Sequence, residues 1–574
     1  MLPLPLLALV ASSVVPIVNG QISSSWPQAY PGMPDVEYGP AWQNYFEVTE
    51  PLPNNGPIHL NPDFSAYENN YSFSNLADCF WIDQPVGTGW STADETGFVY
   101  DEDQVGTDFM GFLENLVKVF PSLATRPLYL TGESYAGTYI PYITKAYFGL
   151  SNPPVNLAKI VIGNGTVGSD AVVRHLPTTT VIQTYPQLIG YDPEVFQWFV
   201  EQTHLCGYDL NLTYPQDGHL PDLQLVYPTA PGRASQVYFA SKQKSKAMVS
   251  KRELLQEGRR HYGDESVHAR GRANLQRREI MKRDLAGRAN GTIDPWYGCF
   301  LYDAMIEYAL NFTYPWSVYD LPDALDPKIP LDGNYFFNGV FLAGALLLPK
   351  EPDRVFIDAQ TVAALHAPTS KQWTDEMDYY LPMTFFTELA TNASARVFLS
   401  SYIQETTTRS SLTAAQKNTT FGGIQGFTRK PATPWYADDG SFAGIVHQER
   451  NWTYILFKGA GHLVPQQQPA NAYTFLREFV LGSNTTGLVS GSKGQVSVVG
   501  GEVSSLAQDV LPGQSGIYVG SGATQSTYTF PSATIAAWES YITTATASPT
   551  RLAAQVRSTS GAKPTARPPF HFHF

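Results

Sequence analysis

The stretch Gly132-Glu133-Ser134-Tyr135-Ala136-Gly137 separates two segments of different character. Residues 127–131 before it are apolar and β-prone, and residues 138–143 after it can begin a helix. A glycine-flanked serine between a strand and a helix is typical of the nucleophile elbow, a sharp turn that exposes the serine hydroxyl. Ala136 holds the place of the pattern's second glycine, and alanine is small enough for strand and helix to approach closely. The pattern therefore makes Ser134 a candidate nucleophile.

The beginning of the chain predicts passage through the secretory pathway. Residues 1–20 are apolar, carry no charge and end in small residues, which predicts a signal peptide. Nine Asn-x-Ser/Thr sequons support that route: Asn70, Asn164, Asn211, Asn290, Asn311, Asn392, Asn418, Asn451 and Asn484. No later apolar run reaches the roughly 18 residues that a membrane span requires. We therefore expect a soluble glycoprotein that is secreted or delivered to the vacuole or lysosome.

Three cysteines allow at most one disulfide within the chain. Cys206 and Cys299 flank the same long insertion and are the favoured pair. Cys79 lies in the apolar run of residues 77–82, where we interpret it as a small core residue.

Charge is distributed unevenly along this acidic chain, whose formal net charge is −14. Residues 241–288 contain 14 Lys/Arg against six Asp/Glu. A basic block can bind nucleic acid, but this one lacks interleaved aromatic residues. It contains four dibasic pairs instead: Lys251-Arg252, Arg259-Arg260, Arg277-Arg278 and Lys282-Arg283. We therefore favour an exposed, cleavable linker and expect no nucleic-acid partner.

Apolar strand candidates alternate with helical stretches, which predicts βαβ units and a mainly parallel sheet. The candidates are strands at 77–82, 127–131, 159–163, 396–399 and 452–457, a helix at 105–120, and a further α/β stretch at 355–366. Residues 165 to about 330 break this alternation and are expected to form an insertion that caps the sheet. We thus predict one α/β domain over residues 21–486. A low-complexity, disordered tail is expected over residues 487–574.

A catalytic serine needs a base within hydrogen-bond reach and an acid that orients the base. Of the 11 histidines, His462 has the most suitable context. It lies in the glycine-rich stretch 458–465, after the strand at 452–457 and before a helix expected from about Pro469. The order serine before histidine suits an α/β-hydrolase. No His/Cys/Asp cluster has the spacing of metal ligands, so neither a metal nor another cofactor is expected.

Four segments in the same order together resemble the serine carboxypeptidases. They are Gly132–Gly137, Asp83-Gln84-Pro85-Val86-Gly87-Thr88-Gly89-Trp90-Ser91, Gly163-Asn164-Gly165 and Gly461-His462-Leu463-Val464-Pro465. These proteins are secreted α/β-hydrolases that remove C-terminal residues from peptides at acid pH. The likeness covers roughly residues 54–480 and is strongest to fungal secretory members. It implies an α/β-hydrolase fold with a mainly parallel central sheet and a large helical cap insertion.

The resemblance also implies roles for individual residues. Ser134 would be the nucleophile and His462 the general base. The backbone N–H of Tyr135 would be one oxyanion donor, and Glu133 would help to bind the C-terminal carboxylate of the substrate. Peptide or protein C-termini are then the expected partners, while the sequence leaves the oligomeric state open.

The chain departs from the family in one glycine-rich segment. Family members carry a Trp-Asn-Gly-Gly-Pro-Gly stretch on a strand, and residues 50–57 follow no such stretch here. A second oxyanion N–H and an asparagine for the substrate carboxylate are thereby lost, and Asn54 replaces a second glutamate. The lost strand would lie between the strands that end at Asp83 and Ser134. We therefore expect unpaired ladder groups there unless these two strands close up.

The third member of the triad is also displaced. The family places an aspartate in a Gly-Asp-x-Asp turn after the strand at 396–399, where this chain has Ser400–Thr406. Glu405 is the nearest acid, whereas Asp438 and Asp439 are expected in a surface turn.

Three functional hypotheses follow from these observations. The chain is an active serine carboxypeptidase, or a catalytically impaired secreted relative or the product of a misassembled gene model, or an acyltransferase on the same scaffold.

Overall fold

A computed structural model describes residues 6–10, 55–60, 66–82, 84–86, 97, 99, 101–230, 285, 288, 291–312, 316–317, 320–324, 396–402, 416, 420–421, 423–492, 495–507 and 532–546. The strands are β1 (Leu6–Val10), β2 (Ile58–Leu60), β3 (Ala66–Glu68), β4 (Asp78–Ile82), β5 (Pro127–Glu133), β6 (Asn156–Gly163), β7 (Trp316–Ser317), β8 (Asp320–Ala324), β9 (Arg396–Tyr402), β10 (Thr420–Phe421), β11 (Ile424–Gln425), β12 (Thr433–Tyr436), β13 (Phe442–Glu449), β14 (Trp452–Phe457), β15 (Val489–Ser492) and β16 (Gln495–Val498).

The helices are α1 (Glu102–Val119), α2 (Ala136–Gly149), α3 (Thr178–Thr184), α4 (Pro193–Leu205), α5 (Leu301–Phe312), α6 (Val464–Gln467), α7 (Pro469–Phe475) and α8 (Ser532–Thr546). Short 3₁₀ helices lie at Phe73–Asn75, Pro121–Ala124, Pro186–Ile189 and Ser504–Ala507, and π-helical turns lie at Ala171–His175 and Leu476–Leu481.

Among the described residues, eight strands form one sheet in the order β12-β13-β14-β9-β6-β5-β1-β4. The strands from β14 to β4 run parallel, and the β12–β13 hairpin joins antiparallel at the other edge. This order and the helices that cover the sheet are those of an α/β-hydrolase, so the predicted fold class is confirmed. The carboxyl ends of β5, β6 and β14 meet at one edge, which is where such folds place their sites.

The sheet is buried on both faces, because alternate side chains of one strand point in opposite directions. Leu128 and Leu130 of β5 pack in the core cluster that α1 and α2 share, whereas Tyr129 between them packs in the cluster of α7 and the turn after it. In β14 every residue is buried. Continuous apolar runs such as those of β5 and β14 are typical of parallel strands covered on both sides.

Helix α1 follows from its sequence pattern. The side chain of Asp101 caps the helix by accepting the backbone N–H of Gln104 at 2.8 Å. Val105, Phe109 and Leu113 recur at intervals of four residues and bury one face against the sheet. The helix ends at Val119, ahead of Pro121.

Lys159 is a charged residue buried within the apolar strand β6. Its ammonium group donates to the carbonyls of Phe479 at 3.3 Å, Val480, and Gly482 at 3.4 Å. These carbonyls lie at the end of the π-helical turn Leu476–Leu481, where helical carbonyls lack intrahelical partners. The contact joins β6 to the helical segment that follows the histidine loop.

β1 occupies the place between β4 and β5 that the sequence leaves vacant. It pairs in parallel with both, with Val10 opposite Ile82 and Gly132. The expectation that β4 and β5 lack a shared neighbour is therefore wrong. Residues 6–10 lie inside the predicted signal peptide, whose removal would also remove this strand. The signal peptide itself stays a prediction, since a short apolar run suits a leader and a buried strand alike.

The predicted insertion holds an apolar cluster of its own, built by α3, α4 and α5. The disulfide Cys206–Cys299 links the end of α4 to the start of α5, as the sequence favours. The basic linker lies outside the described residues except for Leu285 and Arg288, as does the stretch at 355–366.

The predicted tail, residues 487–574, contains ordered elements. β15 and β16 form a hairpin, and α8 packs on the insertion. Trp538 of α8 is only 5 % exposed and meets Phe196 of α4 edge-on, with ring centroids 5.4 Å apart. The prediction of disorder is wrong for these residues; in α8, Trp538 and Tyr541 both pack against Phe196 of α4. None of the helices in the described ranges is long and apolar enough to cross a membrane.

The position of β1 predicts the effect of a proline in that strand. Ala8→Pro removes a ladder N–H and leaves a buried carbonyl without its donor, so the free energy of unfolding should fall by at least about 1–3 kcal/mol. Ala8→Val keeps the N–H and serves as the control. Urea unfolding of the full-length chain measures both. Equal stability of Ala8→Pro, Ala8→Val and the parent would show that β1 is not part of the folded protein.

Candidate active site

Ser134 lies on a strained turn between β5 and α2. Its φ is +61°, a left-handed conformation that non-glycine residues seldom adopt. The turn persists because its backbone groups are bonded: the Ser134 N–H donates to the Gly163 carbonyl at 2.9 Å, and the Ser134 carbonyl accepts from Thr166 at 2.9 Å and Gly137 at 3.0 Å. Strain held by surrounding bonds in this way is typical of functional positions.

Glycines let the start of α2 touch the segment after β6. A Cβ on Gly137 would lie 2.5 Å from the Thr166 nitrogen and 2.6 Å from the Gly165 Cα. A Cβ on Gly165 would in turn lie 2.9 Å from the Gly137 Cα. The close approach therefore depends on Gly137, one position later than the usual pattern, while Ala136 is buried in the core.

His462 follows β14 in a loop that is fastened to the same segment. The Asn164 side chain donates to the His462 carbonyl at 3.2 Å and to the Gly461 carbonyl at 3.5 Å. Two glutamines hold the loop from the other side: the Gly461 N–H donates to Gln467, and Gln468 donates to the Gly459 carbonyl at 2.8 Å. The loop is thus bonded on two sides, and His462 is buried.

Residues 163–166 therefore form the shared support of the two predicted catalytic residues. Ser134 is bonded to Gly163 and Thr166, and the backbone of His462 is bonded to Asn164 between them. Asn164 has a left-handed φ of +46° and is only 2 % exposed. Although it begins a sequon, the folded protein gives a glycan no room there, so Asn164 is a structural residue.

The two remaining predicted residues flank Ser134. Glu133 ends β5 and is half-buried. Tyr135 is the N-cap residue of α2. At this end of a helix the backbone N–H groups have no acceptor within the helix. The Tyr135 hydroxyl donates to Glu102 at 2.8 Å. Sequence reasoning missed Glu102, because the run Asp101-Glu102-Asp103 looks like the ordinary acidic start of a helix.

A carboxylate also ties the segment after Asn164 to α5. Asp170 accepts from Arg174 Nε at 3.2 Å and contacts His175 Nε2 at 3.2 Å, while His175 Nδ1 accepts the N–H of Tyr302 on α5 at 3.2 Å. Since Nδ1 accepts, Nε2 carries the proton and donates to Asp170. Burial alone would raise the pKa of Asp170, but the Arg174 charge and the His175 hydrogen bond hold the pKa well below its usual range.

Comparisons with known proteins identify the family that this chain resembles. The family model described as serine carboxypeptidase matches residues 51–188 and 371–482, which include Ser134 and His462. A carboxypeptidase Y homolog of Arthroderma benhamiae is 25% identical over 443 residues, covering 74% of this chain and 80% of its own length. A pheromone-processing carboxypeptidase kex1 of Aspergillus fumigatus is 24% identical over 474 residues, covering 79% of this chain and 62% of its own.

The chain belongs to the serine carboxypeptidase family. A shorter alignment, to the pheromone-processing carboxypeptidase kex1 of Schizosaccharomyces japonicus, is 42% identical over 113 residues and covers 20% of this chain and 21% of that one. Among solved structures, the prohormone-processing carboxypeptidase Kex1(delta)p of Saccharomyces cerevisiae aligns at a TM-score of 0.43 and 17% identity, covering 86% of this chain and 85% of that one.

This serine carboxypeptidase differs from its family around the triad acid. Glu405 lies outside the described residues. Asp438 forms an exposed ion pair with Arg477, with oxygen–nitrogen distances of 2.6 and 2.9 Å, and Asp439 accepts the N–H of Ser441 at 2.8 Å. Both aspartates therefore lie in the surface turn of the β12–β13 hairpin, as expected. Their carboxylates bind Arg477 and Ser441 there.

The region of the lost glycine-rich stretch is partly described. Asn54 lies outside the described residues, and its neighbour Asn55 accepts the indole N–H of Trp81 at 3.0 Å. Cys79 on β4 is a free thiol, and burial raises its pKa far above the usual value, so it is not a reactive thiolate. No group of three potential metal ligands occurs among the residues described.

The Asp170 contacts predict how this serine carboxypeptidase responds to pH. Asp170→Asn should lower the free energy of unfolding by about 1.5–3 kcal/mol near neutral pH, because a charged hydrogen-bond acceptor is lost. A carboxylate with a lowered pKa stabilises the fold above its unfolded pKa of about 3.9 and loses that effect as pH falls towards the folded pKa. The difference between variant and parent should therefore shrink below about pH 4.

Urea unfolding at several pH values measures this difference. Asp209→Asn is the control, because Asp209 pairs with His204 at the surface, where ion pairs contribute about 0–1 kcal/mol. A difference between Asp170→Asn and the parent that stays constant down to pH 3 would contradict the assignment.

Proposed function

We propose that this chain hydrolyses C-terminal peptide bonds through an acyl-enzyme, with Ser134 as nucleophile and His462 as general base. The observation that carries the proposal is the shared support of residues 163–166, which binds the backbone of Ser134 on one side and that of His462 on the other. A serine attacks a carbonyl only when a base within hydrogen-bond reach takes its proton.

The negative charge that develops on the carbonyl oxygen requires donors that are already in place. The N–H of Tyr135 is the donor we propose, since Tyr135 caps the N-terminus of α2. The helix macrodipole adds positive potential at this end. The family's second donor belongs to the glycine-rich stretch that is absent here, and loss of one donor typically costs about 10²–10³ in rate.

Glu133 adjoins the nucleophile and is proposed to bind the substrate's C-terminal carboxylate. A protonated carboxyl group can donate a hydrogen bond to that carboxylate, whereas an ionised one repels it. Binding through Glu133 should therefore favour acid pH, which agrees with a working place in the secretory pathway, either outside the cell or in a vacuole or lysosome. A requirement for a free carboxylate makes the protein an exopeptidase.

Labelling with a fluorophosphonate probe tests the nucleophile and the base. The probe should label the parent, Ser134→Ala should abolish labelling, and His462→Ala should slow it by at least about tenfold, because the hydroxyl is no longer deprotonated. His204→Ala is the matched control, since His204 is exposed and pairs with Asp209. A folded parent that is not labelled, or one labelled equally fast without His462, would contradict the proposal.

Product analysis tests the exopeptidase assignment separately. A peptide with a free C-terminus should lose its last residue at acid pH, and the same peptide with an amidated C-terminus should be cleaved at least about tenfold more slowly. Equal cleavage of both peptides would contradict the role of Glu133.

A further inference from the structure

Glu102 is a buried carboxylate that faces the residue after the nucleophile. It is 1 % exposed, it begins α1, and its Oε1 accepts the Tyr135 hydroxyl at 2.8 Å. The sequence separation of 33 excludes a local turn as the reason for this contact. The start of α1 therefore contacts the turn that carries Ser134 and Tyr135.

The acidic start of a helix does not by itself explain Glu102. Acidic residues in the first turn stabilise a helix from exposed positions, and Asp101 and Asp103 already do so. Burying a carboxylate costs free energy unless it is paired or hydrogen-bonded. The Tyr135 hydroxyl provides such a bond to Oε1, so the elbow contributes to stabilising the buried carboxylate.

The helix that carries Glu102 is fixed to the helix that begins at Tyr135. A Cβ on Gly106 would lie 2.5 Å from the Tyr142 carbonyl oxygen, so α1 and α2 touch through their backbones. Asp103 pairs with Lys145 across the same contact. Glu102 thus holds Tyr135 from a rigid position.

Tyr135 is held at three points. Glu102 binds its hydroxyl, Tyr139 meets its ring edge-on with centroids 4.7 Å apart, and its carbonyl accepts from Thr138 at 2.8 Å and Tyr139 at 3.2 Å. Its backbone follows the left-handed Ser134 directly. Contacts to its hydroxyl, ring and carbonyl therefore fix how Tyr135 lies between the strained turn and the helix.

We propose that Glu102 is a positioning residue of the reaction, which acts by holding the Tyr135 side chain and thereby the Tyr135 N–H and the Ser134 turn. The inference rests on the proposed function, in which this N–H is an oxyanion donor. The position of the Tyr135 N–H matters more in this chain because the family's glycine-rich stretch, which carries the second donor, is absent. Misplacement of a catalytic group by 1 Å can cost about 10²-fold in rate.

Four variants test the proposal: Glu102→Gln, Glu102→Ala, Tyr135→Phe and the double variant Glu102→Ala/Tyr135→Phe. The glutamine keeps an acceptor oxygen and should retain labelling of Ser134 within about threefold of the parent. The alanine and phenylalanine variants should each slow labelling by about tenfold or more. The double variant should be no slower than the slower single variant, because both changes remove one and the same contact.

Steady-state kinetics on a peptide adds a readout that a purely structural role would not move. The alanine and phenylalanine variants should lower kcat with little change in KM, because an oxyanion donor acts in the transition state. Asp108→Ala is the matched control: it removes an exposed acidic residue from the same helix and should leave kcat unchanged. Circular dichroism and urea midpoints establish that each variant is folded.

The outcomes separate the two proposals. A folded parent that is not labelled removes the proposed function. A labelled parent whose Glu102→Ala and Tyr135→Phe variants react at the parent rate overturns only the positioning role. Effects that multiply in the double variant also overturn it, because the two changes would then act independently. An equal loss of kcat in Asp108→Ala overturns it as well, because helix charge rather than the tyrosine contact would then be responsible.

Discussion

The fold and the site depend on one constraint, the contact between the Ser134 turn and residues 163–166. A left-handed serine is unfavourable by itself, and here its N–H and carbonyl are both bonded across to the end of β6 and the residues after it. The contact is possible only because Gly137 and Gly165 present no Cβ to each other. Asn164 then extends the same support to the histidine loop, so three segments that are distant in sequence meet at one edge of the sheet.

The sequence predicts those parts of the fold that local patterns determine. β5, β6, β14 and α1 are continuous apolar runs or four-residue periodicities, and the structure has them within a few residues of the predicted bounds. The glycine-flanked serine likewise predicts the turn. Local patterns do not determine which strand fills a gap, so β1 was not foreseen, nor was the packing of Trp538 on α4, because both depend on contacts across the chain.

The residues of the candidate site likewise include some that the sequence could predict and some that it could not. Ser134 and His462 could be found because each lies in a glycine-rich stretch next to a strand. Glu102 could not, since an acidic residue at a helix start is usually exposed and only its distant partner Tyr135 distinguishes it. Asp170 could not either, because its neighbour His175 is distinguished only by the bond from Tyr302, far along the chain. Asn164 shows the opposite error: a sequon predicts a glycan, whereas burial and two hydrogen bonds assign it to the support of the histidine loop.

The most direct test of this account is a crystal structure of the protein, in which the distance from the Ser134 hydroxyl oxygen to the nearer His462 ring nitrogen is measured. The account predicts a hydrogen bond of about 2.6–3.2 Å, or slightly longer without substrate. Residues 163–166 should still bind the backbones of both residues. A histidine loop that lies away from this segment, with the imidazole far beyond hydrogen-bond reach of the serine, would contradict it.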